Sequence, residues 1–366
     1  MRLLLVVFTF HLLRTCESVK RCSMPERPEN GNFYFTTRRE NKIGGFVKFT
    51  CDPGYDLNGQ KKIKCLKSTK NWATKFPTCE IEDFSQCGIS GGIGGSNLQR
   101  SRRVVGGADA RPGAWPWQVA FYDNAQNFFC GGSLISNEWI LTAANCFDQD
   151  PGPMSVRGKD WKTTTPYMGL TNRATDRKSS NTSRIIDFIM HPLYNTKESP
   201  IFDYDVALAK IEPIKLHPQV RTVCLPGVTD TNLQEEYSLE WKPNQKDYVT
   251  VTGWGRLGFN REKAAKLQQL DLPLGVHDKC RKSLGLAGDE FTHQMFCAGG
   301  EAGKDSCAGD AGGPVVQKRT NNGEERYEVV GIVSWGKVDC GQEGEYGFYT
   351  HVPRLLDWIK NTTGLE

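Results

Sequence analysis

Cysteine placement limits most tightly what this chain can fold into. Thirteen cysteines occur. The first, Cys16, falls in an N-terminal stretch with the make-up of a secretory signal: Arg2, an apolar run from Leu3 to Leu13, then Cys16 and Ser18 spaced for cleavage after Ser18. That run is too short to span a bilayer as a helix, and no later one is longer, so no membrane span is expected. Assigning residues 1–18 to a removed signal leaves twelve cysteines. An even number suits an oxidising compartment and a secreted, extracellular, disulfide-stapled protein. No Cys-x-x-Cys pair occurs, and no metal or organic cofactor motif is present.

The segment from Cys22 to Cys79 holds four cysteines with short alternating runs between them. Phe46-Val47-Lys48-Phe49-Thr50-Cys51 alternates as a half-buried strand does, and Asp52-Pro53-Gly54-Tyr55 follows as a turn. Four cysteines allow three connectivities, and spacing does not choose among them. Residues 22–79 carry a net charge of +6, whereas residues 80–366 carry −5. A basic module of this kind either serves an anionic partner, such as a sulfated polysaccharide or acidic protein, or only keeps the surface soluble. Nothing points to nucleic acid. Residues 81–103 read as a linker, Gly-rich over Gly88–Ser96 and ending in the basic cluster Arg100-Ser101-Arg102-Arg103, which suits a processing endoprotease. From Val104 onward the chain reads as many short, Gly-punctuated strands. The one helical pattern is Pro353 to Lys360, with Leu355, Leu356 and Ile359 on one face. That distribution predicts an all-β, barrel-like architecture.

Two resemblances sharpen this. The Cys-Asp-Pro-Gly-Tyr turn, the four cysteines and Trp72 before the last of them resemble a sushi (complement control protein) module over residues 20–80. The resemblance implies Cys22–Cys65 and Cys51–Cys79 pairing. Further on, Val104-Val105-Gly106-Gly107, Trp115-Pro116-Trp117-Gln118-Val119, Cys130-Gly131-Gly132-Ser133-Leu134, Thr252-Gly253-Trp254-Gly255 and Ser334-Trp335-Gly336 appear in order. Together they resemble the chymotrypsin/trypsin family over residues 104–366. The resemblance implies two six-stranded antiparallel β-barrels with the active site in the cleft between them. It also implies the pairs Cys130–Cys146, Cys280–Cys297, Cys307–Cys340 and Cys87–Cys224, the last holding the propeptide side to the protease-like side.

Within those motifs the catalytic chemistry is broken. Thr142-Ala143-Ala144-Asn145-Cys146 has Asn145 where the family carries its catalytic His, and Gly309-Asp310-Ala311-Gly312-Gly313-Pro314 has Ala311 where it carries the nucleophilic Ser. Alanine offers no nucleophile, and an amide takes up no proton near neutral pH. Only the acid, Asp205 in Tyr204-Asp205-Val206-Ala207-Leu208, is in place, free to accept from the Asn145 amide. Removing one of the attacking pair costs roughly a millionfold in turnover. The expectation is therefore an inactive serine protease homologue, not an enzyme.

By the same resemblance, Gly309 and Ala311 keep the backbone amides of an oxyanion hole. Asp305 stands at the floor of a specificity pocket for Arg or Lys, lined by Ser334, Trp335, Gly336 and Gly347. Cleavage after Arg103 would free the Val104 amine to pair with Asp310 and order those loops. Asn181 and Asn361 begin glycosylation sequons, and Asp160 to Arg184 reads as a polar loop. The leading expectation is a binding or regulatory protein of a clotting, complement or innate-immune cascade. Its partners would be proteins, namely cascade proteases or their substrates, with the sushi module available to an anionic polysaccharide. The rivals are an active trypsin-like endopeptidase with an unorthodox base, a haptoglobin-like carrier, and a glycosaminoglycan-binding protein.

Overall fold

The computed structural model describes residues 21–38, 40–52, 55–81, 86–91, 107–152, 157–227, 247–258, 261–321, 324–337 and 340–365. The expected signal sequence with Cys16, and the expected cleavage site at Arg103 and Val104, lie outside the described residues. The chain divides into two compact units, Met1–Asp83 and Phe84–Glu366.

The first unit is a small antiparallel assembly of β1 (Gly31–Phe35), β2 (Phe46–Cys51), β3 (Tyr55–Asn58), β4 (Lys62–Lys64) and β5 (Thr78–Ile81). β2 lies between β1 and β4, and β3 pairs with β5. The alternation of β2 is realised: Val47 and Phe49 are fully buried and pack with Ile63 and Trp72. The Trp72 indole N–H donates to the Ser23 carbonyl at 3.0 Å. So few apolar side chains give little burial energy, and Cys22–Cys65 and Cys51–Cys79 staple the unit at its two ends.

The second unit carries two curled antiparallel sheets. The first is built from β7 (Gln118–Tyr122), β8 (Phe128–Leu134), β9 (Trp139–Thr142), β10 (Thr165–Met168), β11 (Asn181–Thr182), β12 (Ile185–Met190) and β13 (Ala207–Ile211). The second comprises β6 (Ala108–Asp109), β14 (Tyr248–Gly253), β15 (Gln268–Pro273), β16 (Met295–Gly299), β17 (Pro314–Asn321), β18 (Glu324–Trp335) and β19 (Tyr346–His351). Each sheet has seven strands rather than the expected six, because the two-residue strands β11 and β6 add themselves to the edges against β10 and β15. Trp117, Phe121, Leu134, Ile140 and Leu141 fill the first core, and Val249, Leu272, Val315 and Tyr349 the second. A buried bond from the Thr252 hydroxyl to the Gln118 side-chain carbonyl, 2.6 Å, ties the two sheets together.

Three expectations are corrected. The polar stretch from Asp160 to Arg184 is not all loop: β10 runs through it, with Pro166 and Met168 buried and pairing with β7. The expected linker does not begin at residue 81, which ends β5, and its residues 86–91 belong to the second unit. There Cys87 is bonded to Cys224, and Gly88 exchanges backbone hydrogen bonds with Thr222 and Tyr327. The helix expected from Pro353 begins as a 3-10 turn, Val352–Leu355, and becomes the α-helix α2 at Leu356–Thr363, with Leu356 and Ile359 buried. A further helix, α1 (His277–Ser283), has no sequence periodicity to announce it; Cys280 alone is buried, anchored to Cys297.

Candidate functional site

The site forms where loops of the two sheets meet. Asn145 sits in a 3-10 turn, Ala144–Cys146, just after β9; Asp205 just precedes β13; Ala311 just precedes β17; and Ser334 lies near the end of β18. The Cys130–Cys146 bond fixes the Asn145 turn to β8. Gly131 donates its amide to the Ala311 carbonyl at 2.8 Å, so the two loops are joined through backbone.

Asp205 is fully buried and its carboxylate is saturated with donors. Oδ1 accepts the Asn145 backbone N–H at 2.8 Å, and Oδ2 accepts the Asn145 side-chain amide at 2.6 Å. The Ser334 hydroxyl donates to the same Oδ2. The other Asn145 amide hydrogen reaches the Ser334 carbonyl at 3.2 Å. Burial pushes the Asp205 carboxyl up to about 6, and the bonds from Ser334, Asn145 and the Ala144 amide hold it from rising further. No histidine among the described residues bonds this set. His191 is stacked on Tyr204, 4.6 Å between ring centroids, and meets Trp358 in a T-shaped contact at 4.8 Å.

Beside Ala311 lies a cavity of about 300 Å³ whose lining includes Gly309, Ala311, Ser334, Trp335 and Gly336. Gly309 has φ +103°, a backbone that an L side chain rarely adopts. Neither the Gly309 nor the Ala311 amide donates to a protein acceptor among the described residues. Gly312 is likewise required: its φ is +77°, and a Cβ there would come within 2.4 Å of the Thr142 hydroxyl and 2.5 Å of the Gly131 carbonyl.

Asp305 borders a cavity of about 20 Å³, shared with Asp310, Gly253 and Gly255. Its Oδ2 accepts the Gly341 N–H at 3.2 Å, while Oδ1 is buried with no hydrogen-bond partner among the described residues. Burial raises its carboxyl to about 7, and the nearby charges of Asp310 and Glu345 push the same way. Two cations, Arg256 and Lys337, line the cavity beside Ala311, with Lys337 paired to Glu345 at 2.6 Å. Gly347 stands behind Gly336, its Cα 3.9 Å from where a Gly336 Cβ would be.

Asp310 accepts from the Gly255 and Cys307 amides at 2.7 and 3.0 Å, and burial raises its carboxyl above the usual range. Its expected partner, the Val104 amine, lies outside the described residues. All twelve remaining cysteines are bonded, with Cys307–Cys340 bracing the loop that carries Asp310. Asn181 is half-buried in β11, and Asn361 is exposed near the end of α2. Sequence reading missed the tie between Ser334 and Asp205 and the place of Arg256 in the cavity wall. No local signal exists for either, since these groups lie far apart along the chain. Among the described residues no cluster of metal-ligating side chains occurs, and no helix is long and apolar enough to cross a membrane.

Comparison with known proteins agrees with this architecture. Residues 22–79 match the sushi repeat (SCR repeat) model, and residues 104–359 match the trypsin model. Complement C1s subcomponent of Sus scrofa is 28% identical over 95% of this chain and 47% of its own length. Mannan-binding lectin serine protease 1 of Homo sapiens is 30% identical over 96% and 48%, and coagulation factor XI of Bos taurus 34% over 71% and 38%. The chain spans about half the length, or less, of the curated relatives it matches. With one sushi repeat ahead of a trypsin-like unit covering most of its length, the chain belongs to the trypsin family of serine proteases and their homologues.

Proposed function

We propose that this protein is a secreted, non-catalytic member of its family that works by binding, as a regulatory component of a complement- or coagulation-type cascade. The observation that carries the reading is the Asn145–Asp205–Ser334 hydrogen-bond set, together with an alanine at position 311 in the cavity that Ser334 also lines. The amide in that set gives both hydrogens away and has no basic nitrogen to accept a proton, and alanine provides nothing to attack with. The relatives named for complement and coagulation support the cascade setting. Protein partners follow from a cleft that keeps its cavity and amides without the chemistry. The test is turnover of Arg- and Lys-peptidyl substrates, with labelling by a serine-directed phosphonate, on the processed full chain. Neither is expected; turnover abolished by Asp305→Asn would overturn the reading in favour of an endopeptidase with an unorthodox base.

A second reading has its own support in the first unit. Lys62 and Lys64 lie 4.7 and 5.6 Å from the Phe46 ring, and Lys48 lies 5.5 Å from the Tyr34 ring. These lysines stand on neighbouring strands in register, where a sulfated polysaccharide would meet them together. Heparin binding that is steeply salt-dependent and lost in Lys48→Gln/Lys62→Gln/Lys64→Gln supports it; heparin binding unchanged by those substitutions excludes this surface.

A further inference from the structure

The stretch Gly309-Asp310-Ala311-Gly312 holds two glycines in positive-φ backbone, Gly309 at +103° and Gly312 at +77°. A turn that alternates handedness in this way aims neighbouring amides into one concavity, which suits an anion. Gly309 and Ala311 both line the cavity of about 300 Å³, and neither amide has a protein acceptor among the described residues. Asp310, between them, is not part of that lining. Its carboxylate accepts the Gly255 and Cys307 amides, so its charge is spent on backbone.

The charge of the wall points the same way. Its ionisable side chains are the cations Arg256 and Lys337, and among the described residues no carboxylate lines it. Lys337 is paired with Glu345, whereas Arg256 is exposed and makes no ion pair among the described residues. The Arg256 amide donates to the Ala308 carbonyl at 3.0 Å, which anchors the arginine to the residue before Gly309. Other donors of the wall are engaged: the Ser334 hydroxyl on Asp205, the Ser306 hydroxyl with that of Tyr349, and the Trp335 indole on the Met295 sulfur. Asn145 gives both its amide hydrogens to Asp205 and the Ser334 carbonyl. What remains for a ligand is two backbone amides and a guanidinium. A carboxylate, with two acceptor oxygens and a full charge, matches that set. The methyl group of Ala311 sets no lone pair against it.

We infer that this cavity binds the free C-terminal carboxylate of a polypeptide, one oxygen on the Gly309 and Ala311 amides and the other facing Arg256. Its volume is several times what a carboxylate fills, and Val333, Trp335 and Gly336 give it a wall for a terminal side chain. That favours a chain end over a small organic acid. Hydrolysis of a peptide bond creates such an end, so the partner is a polypeptide already cut by a protease. The inference deepens the reading of this chain as a non-catalytic binding protein and rests on it.

The experiment is fluorescence anisotropy of a short labelled peptide with a free C-terminal carboxylate against the full chain, beside the same peptide as its C-terminal amide. Each is made with Arg and with Ala as the last residue. The acids are expected to bind, and the amides to bind roughly tenfold or more weakly, because the charge-assisted bonds are lost. Arg256→Gln should weaken the acids by about tenfold and narrow the gap to the amides. A Cβ at Gly336 would meet only the Gly347 Cα, at 3.9 Å, so Gly336→Val puts a side chain in the cavity without a clash and should remove binding. Equal affinity of acid and amide, or a gap untouched by Arg256→Gln, would overturn the proposal. So would a preference for Arg over Ala larger than that for acid over amide, which would assign recognition to the side chain. Displacement by acetate as readily as by unlabelled peptide would overturn it too, in favour of small organic acids. Mass spectrometry of the peptides afterwards separates the two readings. Uncut peptides with equal acid and amide affinity overturn this inference alone, and cut peptides overturn the non-catalytic reading with it.

Discussion

The Asn145 side-chain amide donates to Asp205 Oδ2 at 2.6 Å, while the same residue's backbone N–H donates to Oδ1 at 2.8 Å. One residue thus supplies a donor to each oxygen of a fully buried carboxyl. Removing the side-chain donor leaves a buried acceptor short. Asn145→Ala is expected to lower stability by about 1–3 kcal/mol, read as a shift in the urea midpoint at neutral pH. A loss below about 0.5 kcal/mol, the size of an ordinary surface change, would mean the pair adds little to the fold.

Asp305 governs a pH dependence of the opposite sense to an ion-paired acid. Its folded value, about 7, lies above the ordinary 3.8, so between those values the folded protein holds the proton more tightly than the unfolded chain. Its contribution is therefore greatest at low pH, falls as pH rises through this window, and levels off above about 7. Asp205 acts likewise up to about 6. Comparing urea midpoints near either end of the window, Asp305→Asn should show a smaller fall than the wild type, by about 2–4 kcal/mol at roughly 1.4 kcal/mol per pKa unit. Parallel curves for the two proteins would contradict this.

The bond between Cys87 and Cys224 closes a span of 137 residues that contains Arg103. Nicking anywhere in residues 92–106 should leave a single species on a non-reducing gel and two on a reducing gel. Cys87→Ser/Cys224→Ser should release the first fragment after nicking, and should cost the intact chain roughly 2–5 kcal/mol.

Gly312 tests how tightly the Ala311 loop is packed. A Cβ there would press on the Thr142 hydroxyl and the Gly131 carbonyl while forcing a side chain into a positive-φ backbone. Gly312→Ala is expected to destabilise the second unit by about 2 kcal/mol or more, measured by thermal unfolding. Stability within about 0.5 kcal/mol of wild type would show that the loop yields.

Trp72 carries much of the small core of the first unit, with its indole N–H on the Ser23 carbonyl. Trp72→Ala should cost about 3–5 kcal/mol, enough to unfold that unit while the second keeps its near-UV signature. Joint loss of both would mean that the two units fold as one.

Much of this was legible in the chain because it is local. The alternation of Val47 and Phe49, the apolar face of Leu355, Leu356 and Ile359, and the motifs around Asn145, Asp205 and Ala311 occupy a few consecutive residues each, and the side-chain period or the residue type carries the meaning. Less visible were α1, whose seven residues bury only Cys280, and β10, hidden in a polar stretch rich in Thr. In both, tertiary contact outweighs local preference.

The sequence by itself determined the two-unit plan, the β character, and the presence of an amide at Asn145 and a methyl group at Ala311, since these depend on which residue types are present and how they are spaced. Tertiary structure alone decided that Ser334 would share Asp205 with Asn145, that Asp305 would face a small cavity with Asp310, and that Arg173, Arg177, Arg256, Arg261 and Lys263 would meet around one recess. Each of these joins groups far apart along the chain. Hydrogen bonding, desolvation and like-charge repulsion act through space at a few ångströms, so their outcome is fixed only once the sheets curl and bring the loops together.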